Sequence, residues 1–475
     1  GTSSIMLGDA TTGTIDAANY NYGFGVDVFA ALTSGDANIA IGFSALNANT
    51  SGSFNTAVGH FALDACVSDS NNTGIGALAL EVCVGSGNTA VGSSALAKNT
   101  SATNNTAVGL NALDAATTGG ANTAVGKDAL GDLTSGSENV GVGWTAGGDI
   151  TTARFCTAVG RQALRLNTTA EYLTAVGYSA MRSTTGIANT AVGNSALYAN
   201  TSGTYNTAVG DGAMGAMTTS QGNDGFGYNA GKSITTGGTN VVFGSFSMDS
   251  GGAQTGSGNT HIGHAGSRSL TSGYNNTSCG LQALYAITTG NLNTSIGGNT
   301  GTGITTGSNN TLLGYSAGLA SQPGGAITTA SNQIVVGNSD STNAHIQIDW
   351  TVASDKRDKT DVTPLDMGLS FINKLEPVTY KWDKRAKYEE GETPDGTHKE
   401  SWTDVGFLAQ DVEKIEAEFG HKIEDETNLT THINEDKNSY GLTYAKFVPM
   451  LVKSVQELST QVDELKSELL ALKGE

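Results

Sequence analysis

The chain has 475 residues, a formal net charge of −20 and 65 glycines. Such an acidic chain argues against nucleic-acid binding, because phosphate contacts need clustered Lys and Arg. No run approaches the ~18 continuous apolar residues of a membrane-spanning helix, so we expect no membrane insertion. The four cysteines are too few for a disulfide scaffold in a chain of this length.

Charge is distributed unevenly along the chain. Residues 1–353 contain 8 Lys and Arg and 18 Asp and Glu, whereas residues 354–475 contain 16 and 26. This change in composition predicts a domain boundary near residue 353.

A glycine recurs through the first part of the chain, at a step of 17 residues in fifteen of nineteen intervals. A constant step of this kind is typical of repeat architectures. The repeat glycines are Gly8, Gly25, Gly42, Gly59, Gly76, Gly92, Gly109, Gly126, Gly143, Gly160, Gly177, Gly193, Gly210, Gly227, Gly244, Gly263, Gly280, Gly297, Gly314 and Gly337.

The residues around each glycine are also repeated, as in the phrase NTAVG at 206–210. An apolar residue precedes every repeat glycine, and Asn stands four positions before it in sixteen copies. A pair such as Ala62-Leu63 follows three and four positions later. These columns predict a coil made of a short strand, a glycine bend, a second short strand and a turn. Stacked coils of this kind form a mainly β fold, a β-solenoid of about twenty 17-residue coils over residues 1–340.

Each column suggests a role. We expect the apolar residue before the glycine to form the core, and the Asn side chains to hydrogen-bond from coil to coil as a ladder. The small Ala or Gly two positions before the glycine is interpreted as a seam that packs against another copy of the chain. The phrase resembles the repeats in the left-handed β-rolls of trimeric autotransporter adhesin heads and arrays in phage tail-fibre proteins. That resemblance implies a left-handed β-roll assembled as a homotrimer, although the coil here is longer than in the adhesin heads.

The charged segment carries a second resemblance. After a strand or linker predicted at 341–353, where Ile346, Ile348 and Trp350 alternate with polar residues, come the blocks SDKRDKTDVTPLDMGLSFINKLEPVTYKWDKR, VGFLAQDVEKI and SYGLTYAKFVPMLVKSVQEL. Together they resemble the endosialidase-type intramolecular chaperone of phage tail fibres and tailspikes, over residues 354–475. The resemblance implies a small α+β domain that trimerises the fibre before it.

Many members of that family also cleave themselves at the first residue of the domain. The family pattern of Ser-Asp, one residue, Arg, one residue and Lys matches Ser354, Asp355, Arg357 and Lys359. It implies that Ser354 is the nucleophile on the Ala353–Ser354 bond and that Lys359 is its base, at most a single-turnover reaction. The alternative is that this stretch only forms surface salt bridges.

The end of the chain has a heptad pattern typical of a coiled coil, predicted as a helix over about 445–473. One heptad position holds Val448, Val455, Val462 and Leu469, and the other holds Leu451, Leu458, Leu465 and Leu472. Val at a with Leu at d favours two strands in isolated coiled coils, whereas the family resemblance implies three.

Four basic residues, Arg154, Arg161, Arg165 and Arg182, fall in neighbouring coils. They are candidates for inter-chain ion pairs or for binding an anionic glycan. Cys66 and Cys83 are interpreted as buried thiols rather than a disulfide, and Cys279 as a core residue. Three positions apart on a strand, His261 and His264 should point to opposite faces, so no metal site and no cofactor is predicted.

These patterns predict a homotrimeric phage tail fibre, a virion protein that acts outside the cell by attaching to a host-surface glycan or protein receptor. Because the sequence begins with Gly, an upstream part is expected to join other virion proteins. Alternatives are a spacer without receptor contact and a tailspike that depolymerises polysaccharide, and a bacterial surface adhesin is less favoured. No constellation for a turnover enzyme is evident.

Overall fold

The computed structural model describes residues 4–8, 17–319, 325–341, 344–347, 352–388, 393–433, 437 and 439–474. It divides into two compact units, Gly1–Thr294 and Ser295–Glu475. Each unit is considered by itself.

The first unit is a stack of coils, and each described coil contributes one strand of three residues. Neighbouring strands are parallel and in register, so Thr190 pairs with Thr207 and Ala191 with Ala208. The predicted β-solenoid is therefore confirmed. Its strands are Ile5–Leu7, Tyr22–Phe24, Ile39–Ile41, Thr56–Val58, Thr73–Ile75, Thr89–Val91, Thr106–Val108, Thr123–Val125, Val140–Val142, Thr157–Val159, Thr174–Val176, Thr190–Val192, Thr207–Val209, Asp224–Phe226, Val241–Phe243, Thr260–Ile262 and Thr277–Cys279.

A turn follows the repeat glycine, and the second strand predicted there is wrong. Phe61 and Leu63, two and four residues after Gly59, have left-handed backbone angles with φ of 55° and 54°. The Phe61 N–H donates to a carbonyl of the preceding coil (3.0 Å), whereas the Leu63 N–H donates to one of the following coil (3.0 Å). Alternation of left-handed residues curls the chain and prevents an extended strand.

The repeat glycine is required by a close approach between coils. Gly210 has φ of 135°, and a Cβ atom there would lie 2.3 Å from the carbonyl oxygen of Gly227. Because no side chain fits that space, only glycine can end the strand at this position.

The core is formed by the middle residue of each strand, not by the residue before the glycine. Ala208 is fully buried beside the buried pair Ala213 and Met214, whereas Val209 is partly exposed. Successive side chains of a strand point to opposite faces, so the residues that flank a buried middle residue face outward. The predicted core role of the apolar column is therefore wrong, and so is the predicted seam role of the Ala column. Cys279 lies in the outward column and is only partly buried.

The predicted Asn ladder is confirmed. The side-chain oxygen of Asn189 accepts the backbone N–H and the side-chain amide of Asn206, both at 3.0 Å. The Asn206 amide also donates to the carbonyl of Ser220, at 3.0 Å. A buried side chain thus satisfies backbone groups in two neighbouring coils. The ladder is interrupted where Cys156 and Leu173 replace Asn.

The second unit begins with strands Thr294–Ile296, Thr311–Leu313 and Ile334–Val336, the last two paired in parallel. Two antiparallel pairs follow, Val378–Tyr380 with Asp404–Gly406 and Thr431–Ile433 with Tyr440–Leu442. The α-helices are α1 (Leu369–Ile372), α2 (Ala409–Glu418) and α3 (Phe447–Lys473), and short 3-10 helices span Lys356–Asp358, Arg385–Lys387 and Tyr444–Lys446. Of the strand residues predicted within 341–353, Ile348 and Trp350 lie outside the described residues.

The helices of the second unit pack around a small core of Met367, Phe371, Val412, Phe447 and Met450. The carboxylate of Glu457 on α3 accepts the backbone N–H of Leu369, the first residue of α1, at 2.7 Å. One side of α3 is therefore fixed to its own chain.

Candidate functional site

The first residues of the charged segment form a compact polar turn. Lys359 Nζ lies 2.6 Å from Ser354 Oγ. The 3-10 helix Lys356–Asp358 between them folds the chain back and brings the two side chains together. Both residues are exposed, and the preceding Ala353, whose carbonyl group belongs to the predicted scissile bond, is exposed as well.

Asp355 and Arg357 fix the shape of this turn. The Asp355 carboxylate caps the short helix by accepting the Arg357 backbone N–H at 2.9 Å, and it pairs with the Arg357 guanidinium at 2.6 Å. These hydrogen bonds from Arg357 hold the pKa of Asp355 below its usual range. The ion pair thus occupies the Asp355 carboxylate and leaves Lys359 Nζ in contact with Ser354 Oγ. A Ser hydroxyl beside an amine is an arrangement that can transfer a proton and activate the oxygen for attack.

Two of the four arginines predicted as a binding patch, Arg154 and Arg161, have separate partners. Arg154 lies 3.7 Å from Glu138 and over the ring of Phe155. The Arg161 guanidinium carbon lies 4.4 Å from the ring centre of Trp144 and 5.7 Å from that of Tyr178, a cation–π arrangement across three coils.

The other two arginines lie at equivalent positions of adjacent coils. Burial raises the pKa of Asp149, and the charges of Arg165 and Arg182 partly oppose that rise. Arg182 Nη1 also donates to the hydroxyl of Tyr198, at 3.2 Å. Phe155 is adjacent to Arg154 in the sequence, whereas the aromatic partners of Arg161 and Arg182 lie one coil away, and the sequence analysis did not identify any of these contacts.

Cys66 and Cys83 are free, buried thiols, as interpreted from the sequence. The hydrogen bond with Cys66, together with burial, raises the pKa of the Cys83 thiol. Burial likewise raises the pKa of Cys156 to about 11. The Cys83 and Cys156 thiols are therefore protonated at neutral pH and are poor nucleophiles.

His261 and His264 do point to opposite faces, since His261 is fully buried and His264 is exposed. His261 Nδ1 lies 2.7 Å from Ser278 Oγ and 2.9 Å from Ser267 Oγ. Burial lowers the pKa of His261 to about 3, so the ring is neutral. Across the described part of the chain, no group of three or more His, Cys, Asp and Glu side chains is placed to hold a metal ion.

The helix α3 has an apolar face that its own chain does not cover. We call this face, formed by the two predicted heptad positions, the helix seam. Val455 is 65% exposed and Leu465 is 63% exposed, and the other six seam residues are exposed as well. The side of α3 that packs against the chain is a different one, with Phe447, Met450 and Ser454 buried. Within the described residues, no helix is both long enough and apolar enough to cross a membrane.

A family model described as chaperone of endosialidase matches residues 354–421. The match begins at Ser354 and includes the Ser354–Lys359 turn, α1 and α2. No curated protein matches the chain. The segment 354–421 is thus similar to the chaperone-of-endosialidase family, and its position in the sequence after a parallel β-solenoid of 17-residue coils fits the architecture of a phage tail fibre or tailspike-like protein.

Proposed function

We propose that this protein is a homotrimeric fibre of a phage virion, trimerised by its C-terminal chaperone domain, and that it attaches the particle to a host surface. The observation that carries the assembly is the helix seam. A heptad stripe of Val and Leu that stays exposed on a helix already packed to its own domain is typical of a coiled-coil face that another chain covers.

The first unit carries an independent feature of the same kind. We call the apolar residues before the repeat glycines of this unit, from Leu7 to Cys279, the outer stripe. Phe24, Ile41 and Ile262 are 60%, 43% and 46% exposed, and no coil of the stripe carries a polar or charged residue there. Burial of apolar area contributes about 25 cal/mol per Å². Parallel copies of the chain would cover the outer stripe along the whole stack, because each coil presents the same residue type.

The number of chains in the assembly is determined by a native mass measurement. Val at a and Leu at d favours a dimer, whereas the resemblance to the chaperone family implies a trimer. A native mass of three chains is expected for the Ser354→Ala variant, which keeps its C-terminal domain because it cannot cleave itself. A monomer would overturn the assembly proposal, and a dimer would overturn the trimer.

The Ser354–Lys359 turn supports self-cleavage as part of this function. Ser354 Oγ attacks the carbonyl carbon of Ala353 while its proton passes to Lys359 Nζ and then to the amide nitrogen of Ser354, and the C–N bond breaks. Water then hydrolyses the ester, leaving a carboxylate on Ala353 and an amine on Ser354. Cleavage would release the chaperone domain after the fibre has assembled.

A C-terminal domain that trimerises before the β-solenoid folds would align the three chains. Coils of equal length pair equally well when one copy is shifted by a whole coil, so the stack does not set its own alignment between chains. A shortened chain that ends at Ala353 should therefore assemble poorly, whereas the chain that keeps residues 354–475 should form the trimer. Soluble, homogeneous trimer from the shortened chain would contradict this role.

Attachment is tested separately from assembly. Fluorescently labelled full-length protein is expected to adsorb to cells within a panel of bacterial strains. Absence of adsorption to every strain would overturn attachment and favour a spacer. Release of oligosaccharide from the adsorbing strain would instead favour a tailspike depolymerase.

A further inference from the structure

A shallow groove opens on the surface of the first unit, across three neighbouring coils. It has a volume of about 430 Å³, within the range of small-molecule sites. Tyr198 borders it on one side and Tyr228 on the other, and these rings are 41% and 48% exposed. We call this feature the tyrosine groove.

The floor of the groove exists because the middle coil has small residues. Gly212 and Gly215 stand where other coils carry side chains, such as Phe61 at the position of Gly212, and Ala216 adds only a methyl group. A Cβ atom at 212 would lie 2.3 Å from Asn229 Oδ1, so a side chain there would require Asn229 to move.

Polar groups line the groove between the two rings. Asn194 Nδ2 donates to Asp211 Oδ1 at 3.2 Å, and Ser195 Oγ donates to Asn194 Oδ1 at 3.2 Å. The amide and the carboxylate are thereby oriented. Lys232 supplies an exposed ammonium at the opposite side, and it forms no ion pair within the described part of the chain.

The two tyrosines are held in place by their neighbours. Arg182 donates to the Tyr198 hydroxyl at 3.2 Å, and the Tyr228 ring packs edge-on against Phe246 with 5.1 Å between ring centres. Rings fixed in this way lose little conformational entropy when a ligand stacks on them.

We propose that the tyrosine groove binds a neutral pyranose sugar of a host-surface polysaccharide. A pyranose has an apolar face of C–H groups and an edge of hydroxyls. Exposed aromatic faces suit the first, and carboxylate, amide and ammonium groups suit the second. The groove carries one carboxylate and one ammonium, which favours a neutral sugar over an acidic one. This inference rests on the proposed attachment function and names its ligand class.

The groove differs from the outer stripe in composition. The position after the repeat glycine changes from coil to coil, with Leu110, Lys127, Trp144, Asn194 and Asp211 in different coils. An interface between identical copies favours the constant apolar column, whereas a ligand-facing column is free to vary. The column that lines the groove is therefore not the column that identical copies of the chain are expected to cover.

The test uses the full-length protein and saturation-transfer NMR with four separate probes at millimolar concentration. Methyl β-D-glucopyranoside, methyl β-D-galactopyranoside and N-acetylglucosamine are neutral, and N-acetylneuraminic acid is acidic. We expect transfer to the ring C–H protons of at least one neutral probe. Transfer to none of them, or to the acidic probe alone, would overturn the proposal.

Variants locate the site. Ala216→Trp fills the groove from an exposed position and removes no contact, and Tyr198→Ala removes one aromatic wall. Each is expected to weaken binding by about tenfold or more, a free-energy change of about 1.4 kcal/mol. Ala115→Trp is the matched control, because Ala115 occupies the same coil position far from the groove and has the equivalent backbone hydrogen bond. Equal sugar binding by wild type and Ala216→Trp would mean that the sugar binds elsewhere, and it would refute the tyrosine groove as the site.

Cell adsorption separates this inference from the attachment function. If wild type and Ala216→Trp adsorb equally, the groove proposal fails while attachment stands. Adsorption that survives periodate oxidation of the cell surface would indicate a protein receptor and would contradict the proposal that the groove binds a host-surface sugar. If wild type adsorbs to no strain while the neutral sugar still binds in solution, attachment fails and the groove remains a sugar site.

Discussion

Lys359 Nζ lies 2.6 Å from Ser354 Oγ, five residues away in the sequence and across one short helical turn. This contact places an amine beside the hydroxyl of the first residue of the chaperone domain. The roles of nucleophile and base that the family resemblance implies for these two residues stay a prediction.

The first prediction concerns cleavage of the Ala353–Ser354 bond. Wild-type protein is expected to yield two fragments, because Ser354 Oγ can transfer its proton to Lys359 as it attacks. Ser354→Ala and Lys359→Met should remain as single chains by intact mass. Lys356→Met removes a neighbouring ammonium that has no contact with Ser354, so it should cleave as wild type does. An uncut wild-type chain after assembly would refute self-cleavage, leaving the turn with a structural role.

The second prediction concerns the Asn ladder. Asn206→Ala removes the acceptor of the Asn223 N–H and leaves the Ser220 carbonyl and Asn189 oxygen without the amide. Each unsatisfied buried group costs about 1–3 kcal/mol, so the variant should unfold at a clearly lower temperature by circular dichroism. Gln221→Ala, an exposed amide in the same coil, is the control. Equal midpoints for the two variants would show that the ladder adds little.

The repeat spacing was sufficient to predict the coils, because an equal step brings Asn206 onto Asn189. The spacing did not predict which residues point into the coil and which point outward. In a strand of only three residues, either the middle residue or the two flanking residues can face the core, and the larger Val209 was taken for the core in place of Ala208. The core is formed by Ala208 because the turn supplies the large side chain, Met214, from the other side of the coil.

The tyrosine groove also lay beyond sequence analysis. Its walls come from coils on either side of the one that forms its floor, and nothing in the spacing of Tyr198 and Tyr228 indicates a cavity. The contact of Arg182 with Tyr198 likewise depends on the length of two side chains in adjacent coils. Repeat columns predict which residues are stacked, but not where a small residue leaves a gap.

The third prediction concerns acid sensitivity and His261. Its pKa is lowered to about 3 in the folded chain by burial, while the unfolded value is near 6.5. The unfolded chain therefore binds more protons between these values. The stability that depends on a neutral His261 is present above pH 6.5 and is lost as pH falls toward 3, by about 1.4 kcal/mol per pH unit.

A paired substitution tests this without leaving a cavity. Seven of the twenty coils carry both Ala in the middle of the strand and Leu four residues after the glycine, whereas this coil has His261 and Ser267. His261→Ala with Ser267→Leu restores the common pair and should flatten the fall in melting temperature between pH 6 and pH 4. His264→Ala, an exposed histidine of the same coil, should keep the wild-type slope. An unchanged slope in the paired variant would contradict the assignment.

The last prediction concerns the helix seam. Val455→Asp places a charge in the middle of the helix seam. Because the Val455 side chain is 65% exposed in the single chain, the substitution should lower the stability of the monomer only slightly. In a coiled coil the same carboxylate would be buried against its copies, where like charges repel and desolvation is unfavourable. In the uncleaved Ser354→Ala background, the native mass should therefore fall from a trimer to a monomer. The helix content measured by circular dichroism should stay close to that of the same protein with Val455. Gln456→Asp, one residue along on the polar side, adds the same charge outside the seam and should leave the trimer intact. A trimer that survives Val455→Asp would mean that the outer stripe, rather than α3, holds the chains together.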